Sequence, residues 1–244
     1  MDIEQATGVP AQIGNPDTRD AWIQRFAAST PAGATVIDVS AGAKPYKQYW
    51  SHTHYYTHEF SGNNEIVDAF RAETKASKKD HDFGGDITKT SAPSEEYDVV
   101  VLTEVLEHVP EPLEAIREMT RLAKRDGSIL VTAPFTSGTH QAPYHFYAGF
   151  GPNWYRYAAK KNNLQIISMR SQGDYFKLMA QEIPRSLSCG GLLPGVDKQR
   201  VIELAGLVSK YLLQLSTLKG DASAKKARCA DQFTIGWMVH FVKD

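Results

Sequence analysis

Cysteine is almost missing from this chain: Cys189 and Cys229 are the only two. Two thiols make neither a disulfide framework nor a thiolate zinc centre. Long apolar runs are missing too, and nothing approaches the ~18 consecutive apolar residues of a membrane-spanning helix. The amino terminus, Met-Asp-Ile-Glu-Gln, has no basic segment followed by an apolar one. No signal peptide is therefore expected, and the expected location is cytoplasmic. Excess charge is also lacking. The 27 Lys and Arg residues nearly balance 28 Asp and Glu residues, for a formal net charge of −1. Binding a phosphate backbone leaves a basic footprint, so nucleic acid is disfavoured as a partner. Lys160 and Lys161 read as part of a solvated face. No internal repeat and no low-complexity tract is present.

What is there suits a folded domain. Hydrophobic content of 42% and charged content of 23% are globular rather than disordered values. A chain of 244 residues buries a substantial core, as one large domain or a domain with an insertion. Trp22, Ile23 and Phe26 at helical spacing predict a helix over 17–29. Strands are predicted at 35–39, 55–60, 81–87, 97–103, 128–133 and 164–169. Helices at 66–75, 112–124 and 153–162 alternate with them. Residues 174–229 then carry Val201, Leu204, Ala205, Val208, Leu212 and Leu215 at helical spacing, too much helix for a connector. A last strand is expected over 233–242. This alternation predicts a doubly wound α/β fold, a mostly parallel seven-stranded sheet with a helical insertion before the last strand. Four segments are expected: an amino-terminal arm and helix (1–30), an α/β core (31–173), the helical insertion (174–229) as a lid or dimer interface, and a final strand (230–244).

The stretch Ala34-Thr-Val-Ile-Asp-Val-Ser-Ala-Gly-Ala-Lys-Pro-Tyr46 organises the rest. Its β-branched residues suit a strand buried on both faces. Ser40, Ala41, Gly42 and Ala43 are small, so backbone can approach a ligand closely. Open α/β sheets bind ligands at the carboxyl ends of their strands. Four acids fall there: Asp38, Glu59, Asp86 and Glu104. Glu59 lies 21 positions after Asp38 (59 − 38), an offset at which an acid accepts ribose hydroxyls. The absence of Gly-x-Gly-x-x-Gly after the first strand argues against a nicotinamide-dependent oxidoreductase.

These residues resemble the class I S-adenosylmethionine-dependent methyltransferases, in particular the group called methyltransferase type 11. Val36 to Tyr46 looks like their first motif, and Gly85-Asp-Ile87 like their strand-3 acid motif. Tyr97-Asp-Val-Val-Val-Leu-Thr-Glu-Val-Leu-Glu-His-Val-Pro-Glu-Pro112 is the most specific match, and Leu122 to Pro134 the usual helix, turn and strand. His140-Gln-Ala-Pro-Tyr-His-Phe-Tyr147 is similar to a segment in bacterial members, many encoded among sugar and polysaccharide genes. The resemblance covers roughly residues 30–170. It implies a Rossmann-like methyltransferase that uses S-adenosylmethionine and releases S-adenosylhomocysteine. Asp38, Ser40, Ala41 and Gly42 would hold the methionine part and Glu59 the ribose. Asp86 would accept from the adenine amino group, Ile87 would pack on the ring, and Glu104 would lie beneath the methionine part. Ser40 and Lys44 stand where the family usually has Gly. If position 40 needs positive φ, Ser costs more there than Gly.

Methyl transfer to a hydroxyl gains from a general base, and histidine has a suitable pKa. His140 is the first candidate and His145 the second, with His108 orienting the Glu104–Glu107 segment. Tyr144, Tyr147 and Trp154 are candidates to stack on the acceptor, expected to be a small molecule or sugar. No metal site is expected: His52, His54 and His58 share strand parity, but no carboxylate is placed beside them. The alternatives are N-methylation or natural-product methylation on the same fold, or a non-catalytic partner subunit. A homodimer through the insertion is a further expectation.

Overall fold

The computed structural model describes residues 3–9, 19–60, 81–189, 195–217 and 233–244. Two compact units emerge: residues 21–170 with 236–244, and residues 1–20 with 171–235. No helix among the described residues is long and apolar enough to cross a membrane.

The larger unit is built on one sheet. Its strands are β1 (Thr35–Val39), β2 (His54–Phe60), β3 (Phe83–Asp86), β4 (Lys89–Thr90), β5 (Tyr97–Thr103), β6 (Ala123–Pro134), β7 (Leu164–Gln172) and β8 (Gly236–Lys243). They run in the order β4-β3-β2-β1-β5-β6-β8-β7. β1 pairs parallel with β2 and β5, β2 with β3, and β5 with β6. β8 returns antiparallel to β6. Central strands need apolar residues on both faces, and β1 and β5 have them. Ile37, Val39, Val100 and Leu102 face one core. Val36, Val99 and Val101 face another, with Trp22 and Ile23 of helix α2 (Ala21–Ser29) and the buried Trp50. Helix α3 (Pro112–Leu122) buries Ala115, Ile116, Met119 and Leu122 against the first face.

The sheet has eight strands where seven are predicted. The added strand is the two-residue β4, antiparallel to β3. Glu118 of α3 accepts the Thr90 N–H at 2.7 Å and the Thr90 hydroxyl at 3.0 Å, which fixes that edge. Two residues carry no periodicity a sequence could display. Arg125-Asp126-Gly127, predicted to end the helix, instead belongs to β6. Tyr97 pairs with Ala123, then the register shifts so that Val99 pairs with Ser128. The chain tightens there because Asp126 has φ 60° and Gly127 lacks a Cβ that would meet the Lys124 carbonyl oxygen at 2.7 Å. The predicted helix over 66–75 lies outside the described residues.

The smaller unit contains α1 (Ile3–Thr7), α5 (Tyr175–Cys189) and α6 (Lys198–Ser216). α5 and α6 pack on each other and both meet α1. The approach of α1 to α6 depends on Gly206, where a Cβ would come within 2.7 Å of the Thr7 carbonyl oxygen. Asp174 ties the unit together: its carboxylate accepts the Lys177 N–H at 3.0 Å and the buried Ser216 hydroxyl at 2.9 Å. Helix α4 (Pro152–Lys161) belongs to the larger unit.

Candidate active site

A cavity of about 390 Å³ opens at the carboxyl ends of β1, β2, β3 and β5. Ser40 and Gly42 line it after β1, Glu59 and Phe60 at the end of β2, Asp86 and Ile87 after β3, and Thr103 to Val105 after β5. His108, Val109 and Pro110 close one wall, with Gln141 and Tyr144 from the loop after β6.

The turn after β1 is left-handed at alternate positions: Ser40 has φ 58°, Gly42 φ 54° and Lys44 φ 57°. Position 40 thus needs the positive φ that only Gly adopts freely, and this chain places a serine there. The turn aims backbone at the cavity and is braced from β2. The Ala41 N–H donates to the His58 carbonyl at 3.0 Å, and the Gly42 N–H donates to Glu59 Oε2 at 2.7 Å. Glu59 Oε1 accepts the Phe60 N–H at 3.0 Å. Each of those oxygens keeps a second lone pair for a ligand hydroxyl. Asp38 stands differently. It is 1% exposed, does not line the cavity, and accepts the Tyr55 hydroxyl at 2.6 Å. Burial pushes its carboxyl up to about 7, although the Tyr55 hydrogen bond lowers it. Burial and the adjoining Asp38 push the Tyr55 phenol upward. Tyr55 escapes a linear reading because only the parallel register of β1 and β2 brings it to Asp38.

Asp86 Oδ1 accepts the Thr88 N–H at 2.8 Å and its hydroxyl at 2.6 Å, which holds the turn after β3 while the residue still faces the cavity. Ile87 is buried beside it. Glu104 also adopts positive φ, 54°. Its N–H donates to the Thr132 carbonyl at 2.9 Å, and the Thr132 hydroxyl donates to Glu104 Oε1 at 2.8 Å.

The loop after β6 is clasped at its base. Phe150 N–H donates to the Pro134 carbonyl at 2.8 Å and Ser137 N–H to the Ala148 carbonyl at 2.7 Å. Gly149 permits this closure, since a Cβ there would lie 2.2 Å from the Phe135 carbonyl oxygen. The loop also grips the segment after β5. Phe146 N–H donates to the Glu107 carbonyl at 2.8 Å, and the Tyr147 hydroxyl to the Pro110 carbonyl at 2.9 Å. His108 Nδ1 donates to the Tyr144 carbonyl.

Three imidazoles meet as a result. Ring centroids are 4.8 Å apart for His108 and His140, 4.7 Å for His140 and His145, and 6.0 Å for His108 and His145. Burial pushes His108 down to about 4, with a smaller contribution from the other two rings, so it is neutral near pH 7. Burial also lowers His145. Only His108 of the three lines the cavity; His140 and His145 stand behind it. Tyr144 lines the cavity, 6.2 Å from the Phe60 ring. Tyr147 and Trp154 do not. Tyr147 is anchored on Pro110, and Trp154 packs into the core between Phe150 and Tyr155, at 4.6 and 5.3 Å. Phe60, Val109, Pro110 and Gln141 join the lining without a sequence signal, because their places depend on where loops fold back.

The cavity fits S-adenosylmethionine. That molecule combines two cationic groups, a ribose diol and a flat base. Glu59, Asp86 and Glu104 supply carboxylates along one crevice, and Ile87 and Val109 supply apolar surface.

Comparison with curated proteins gives no match. Among solved structures, phosphoethanolamine N-methyltransferase 2 of Haemonchus contortus, in complex with S-adenosyl-L-methionine, is 16% identical. It has a TM-score of 0.53 over 92% of this chain and 52% of its own. A geranyl diphosphate methyltransferase in complex with the same cofactor is 8% identical, with a TM-score of 0.52 over 93% and 84% of the two chains. The [4+2]-cyclase SpnF is 14% identical, with a TM-score of 0.51 over 93% and 81%. At such identities these likenesses show the fold. The methyltransferase domain family model matches residues 15–182, more than half of the chain. The chain therefore belongs to the methyltransferase domain family and is a class I, S-adenosylmethionine-dependent methyltransferase.

Proposed function

We propose that the chain methylates an oxygen atom of a small molecule or sugar precursor, with a histidine of the loop after β6 taking the proton. The observation that carries this reading is the meeting of His140 and His145 with His108, which lines the cavity. When bound, the cofactor supplies a methyl group already activated as a sulfonium. The chain's own task is then to position the acceptor and receive its proton. In this reading the Ser40–Gly42 backbone holds the methionine end, while Asp38, buried against Tyr55, takes no direct part. Glu59 accepts the ribose hydroxyls. The free oxygen of Asp86 accepts from the adenine amino group above Ile87, and Glu104 lies beneath the sulfonium end. Tyr144 offers the ring on which an acceptor stacks. His140 is held through Nδ1, which lies 2.9 Å from the Gly138 carbonyl oxygen and 3.2 Å from the Ser137 hydroxyl. That leaves Nε2 as the lone pair available to a proton.

Turnover on a panel of hydroxyl and amine acceptors tests this, alongside calorimetric titration with S-adenosylhomocysteine. Loss of the base should lower kcat by about 10²–10⁴-fold while S-adenosylhomocysteine affinity stays within about 3-fold. Normal turnover in both His140→Ala and His145→Ala would rule out a histidine base. It would favour an amine acceptor, as in the N-methyltransferase of similar fold. We also propose self-association through α6, whose Leu204, Leu207, Val208 and Tyr211 are exposed at helical spacing among the described residues. Sedimentation of Leu207→Glu against the parent chain tests it: a dimer that persists unchanged excludes this face.

A further inference from the structure

The three imidazoles do not meet alone. The carboxylate of Glu107, a buried residue, lies with its Oε1 3.7 Å from His108 Nε2. Single donor atoms of Glu107, His108 and His140 all fall within 4.8 Å of one another. The opposite edges of both rings are already engaged. His108 Nδ1 donates to the Tyr144 carbonyl, and His140 Nδ1 lies 2.9 Å from the Gly138 carbonyl oxygen. In a neutral ring each of those bonds puts the proton on Nδ1 and leaves the lone pair on Nε2. This is the orientation that backbone carbonyls impose on metal-ligating histidines. His108 Nε2 and Glu107 Oε1 stand 3.7 Å apart, close enough for one cation to reach both. A fourth nitrogen is close by: His145 Nε2 is buried without a hydrogen-bond partner.

We propose that Glu107, His108 and His140 bind a divalent transition-metal ion at the wall of the cavity. Imidazole nitrogens with one carboxylate suit a borderline ion such as Zn²⁺ or Fe²⁺ rather than Mg²⁺ or Ca²⁺. Metal–nitrogen bonds of ~2.0–2.1 Å would draw the donors closer than they stand. Three protein ligands leave a coordination position open, as a catalytic site requires. The ion's role rests on the oxygen-methylation reading above; its binding does not. With His140 committed to the ion, His145 is the imidazole left for the proton. The acceptor hydroxyl, bound at the open position, gives its proton to His145. Its oxygen forms the new C–O bond with the methyl carbon. The C–S bond breaks with its electron pair staying on sulfur, which leaves the neutral thioether S-adenosylhomocysteine.

Titrating the full chain with CoCl₂ tests the site, with visible absorption as the readout. One equivalent of Co²⁺ should develop ligand-field bands that Zn²⁺ then displaces. His140→Ala, on the loop, and Glu107→Gln, the conservative change at the buried position, should each weaken Co²⁺ binding. The loss should exceed the ~10–100-fold typical of removing only a ligand's hydrogen-bond partner. His145→Ala should keep Co²⁺ binding and lose turnover. S-adenosylhomocysteine titrated in parallel separates the two ideas. Absence of cobalt bands, or bands unchanged in His140→Ala, overturns the metal site, and intact S-adenosylhomocysteine binding then leaves methyl transfer standing. Co²⁺ uptake that is lost in both ligand variants supports the site whatever the cofactor titration gives.

Discussion

The cofactor side of the cavity and the histidine side are made in different ways. On the cofactor side, Glu59, Asp86 and Glu104 sit at strand ends, and the register of parallel strands places them. Their partners are backbone N–H groups and threonine hydroxyls close by, as with Gly42 and Phe60 on Glu59, Thr88 on Asp86 and Thr132 on Glu104. On the histidine side, nothing but a loop brings residues 140 and 145 to residue 108. That loop is closed by two backbone bonds and by a glycine that permits an approach no side chain allows. Strands make a site from spacing, whereas the loop makes one from closure. Changes on the first side should therefore read out as affinity, and changes on the second as turnover.

The largest expected effect is on the cofactor side. Glu59→Ala removes the brace for Gly42 and, in the reading proposed above, the charged acceptor for the ribose. At on the order of 2–4 kcal/mol, S-adenosylhomocysteine should bind roughly 30- to 1,000-fold more weakly by calorimetry. An unchanged affinity in the folded variant would mean that Glu59 is not the ribose acid. Next comes pH. Asp38 has its carboxyl raised from 3.8 to about 7, so the native chain holds a proton that the unfolded chain has released. The contribution is full below pH 3.8 and is lost as pH rises toward 7. Between pH 5 and 7 this group alone should cost on the order of 2–3 kcal/mol of stability. Asp38→Asn should lack that slope, so the difference in denaturant stability between variant and parent should grow with pH and level off above 7.

Gly149→Ala sharpens the contrast from the other side. Forcing a Cβ against the Phe135 carbonyl should cost about 1–3 kcal/mol or reopen the loop. Turnover should fall further than S-adenosylhomocysteine affinity, and equal losses would show that the two sides are not separable. The smallest effect is at Ser40. Its φ of 58° is costly for a side chain, so Ser40→Gly should raise stability by ~0.5–1 kcal/mol in thermal unfolding, with cofactor affinity unchanged or better.

Much of the first side was legible in the chain. Val36, Ile37 and Val39 read as a buried strand because β-branched residues suit two covered faces, and acids at successive strand ends read as a ligand crevice. The His140–Tyr147 segment was picked out by its resemblance to bacterial methyltransferases, and both histidine candidates came from it. What its residues touch was not legible, since nothing local distinguishes Tyr144, which lines the cavity, from Trp154, which packs in the core.

Local pattern in the chain dictates the doubly wound sheet, the place of the crevice and three of the four acids at its rim, with Asp38 buried behind it. Periods of 2 and 3.6 and the chemistry of turns are properties of neighbouring residues. Tertiary structure alone decided that Tyr55 would clasp Asp38 and that Lys89–Thr90 would form an eighth strand. It alone brought Glu107, His108 and His140 to within 4.8 Å of one another. Each of these depends on strand register or loop closure between residues distant in the chain, and such contacts form only when the whole sheet and its loops are in place.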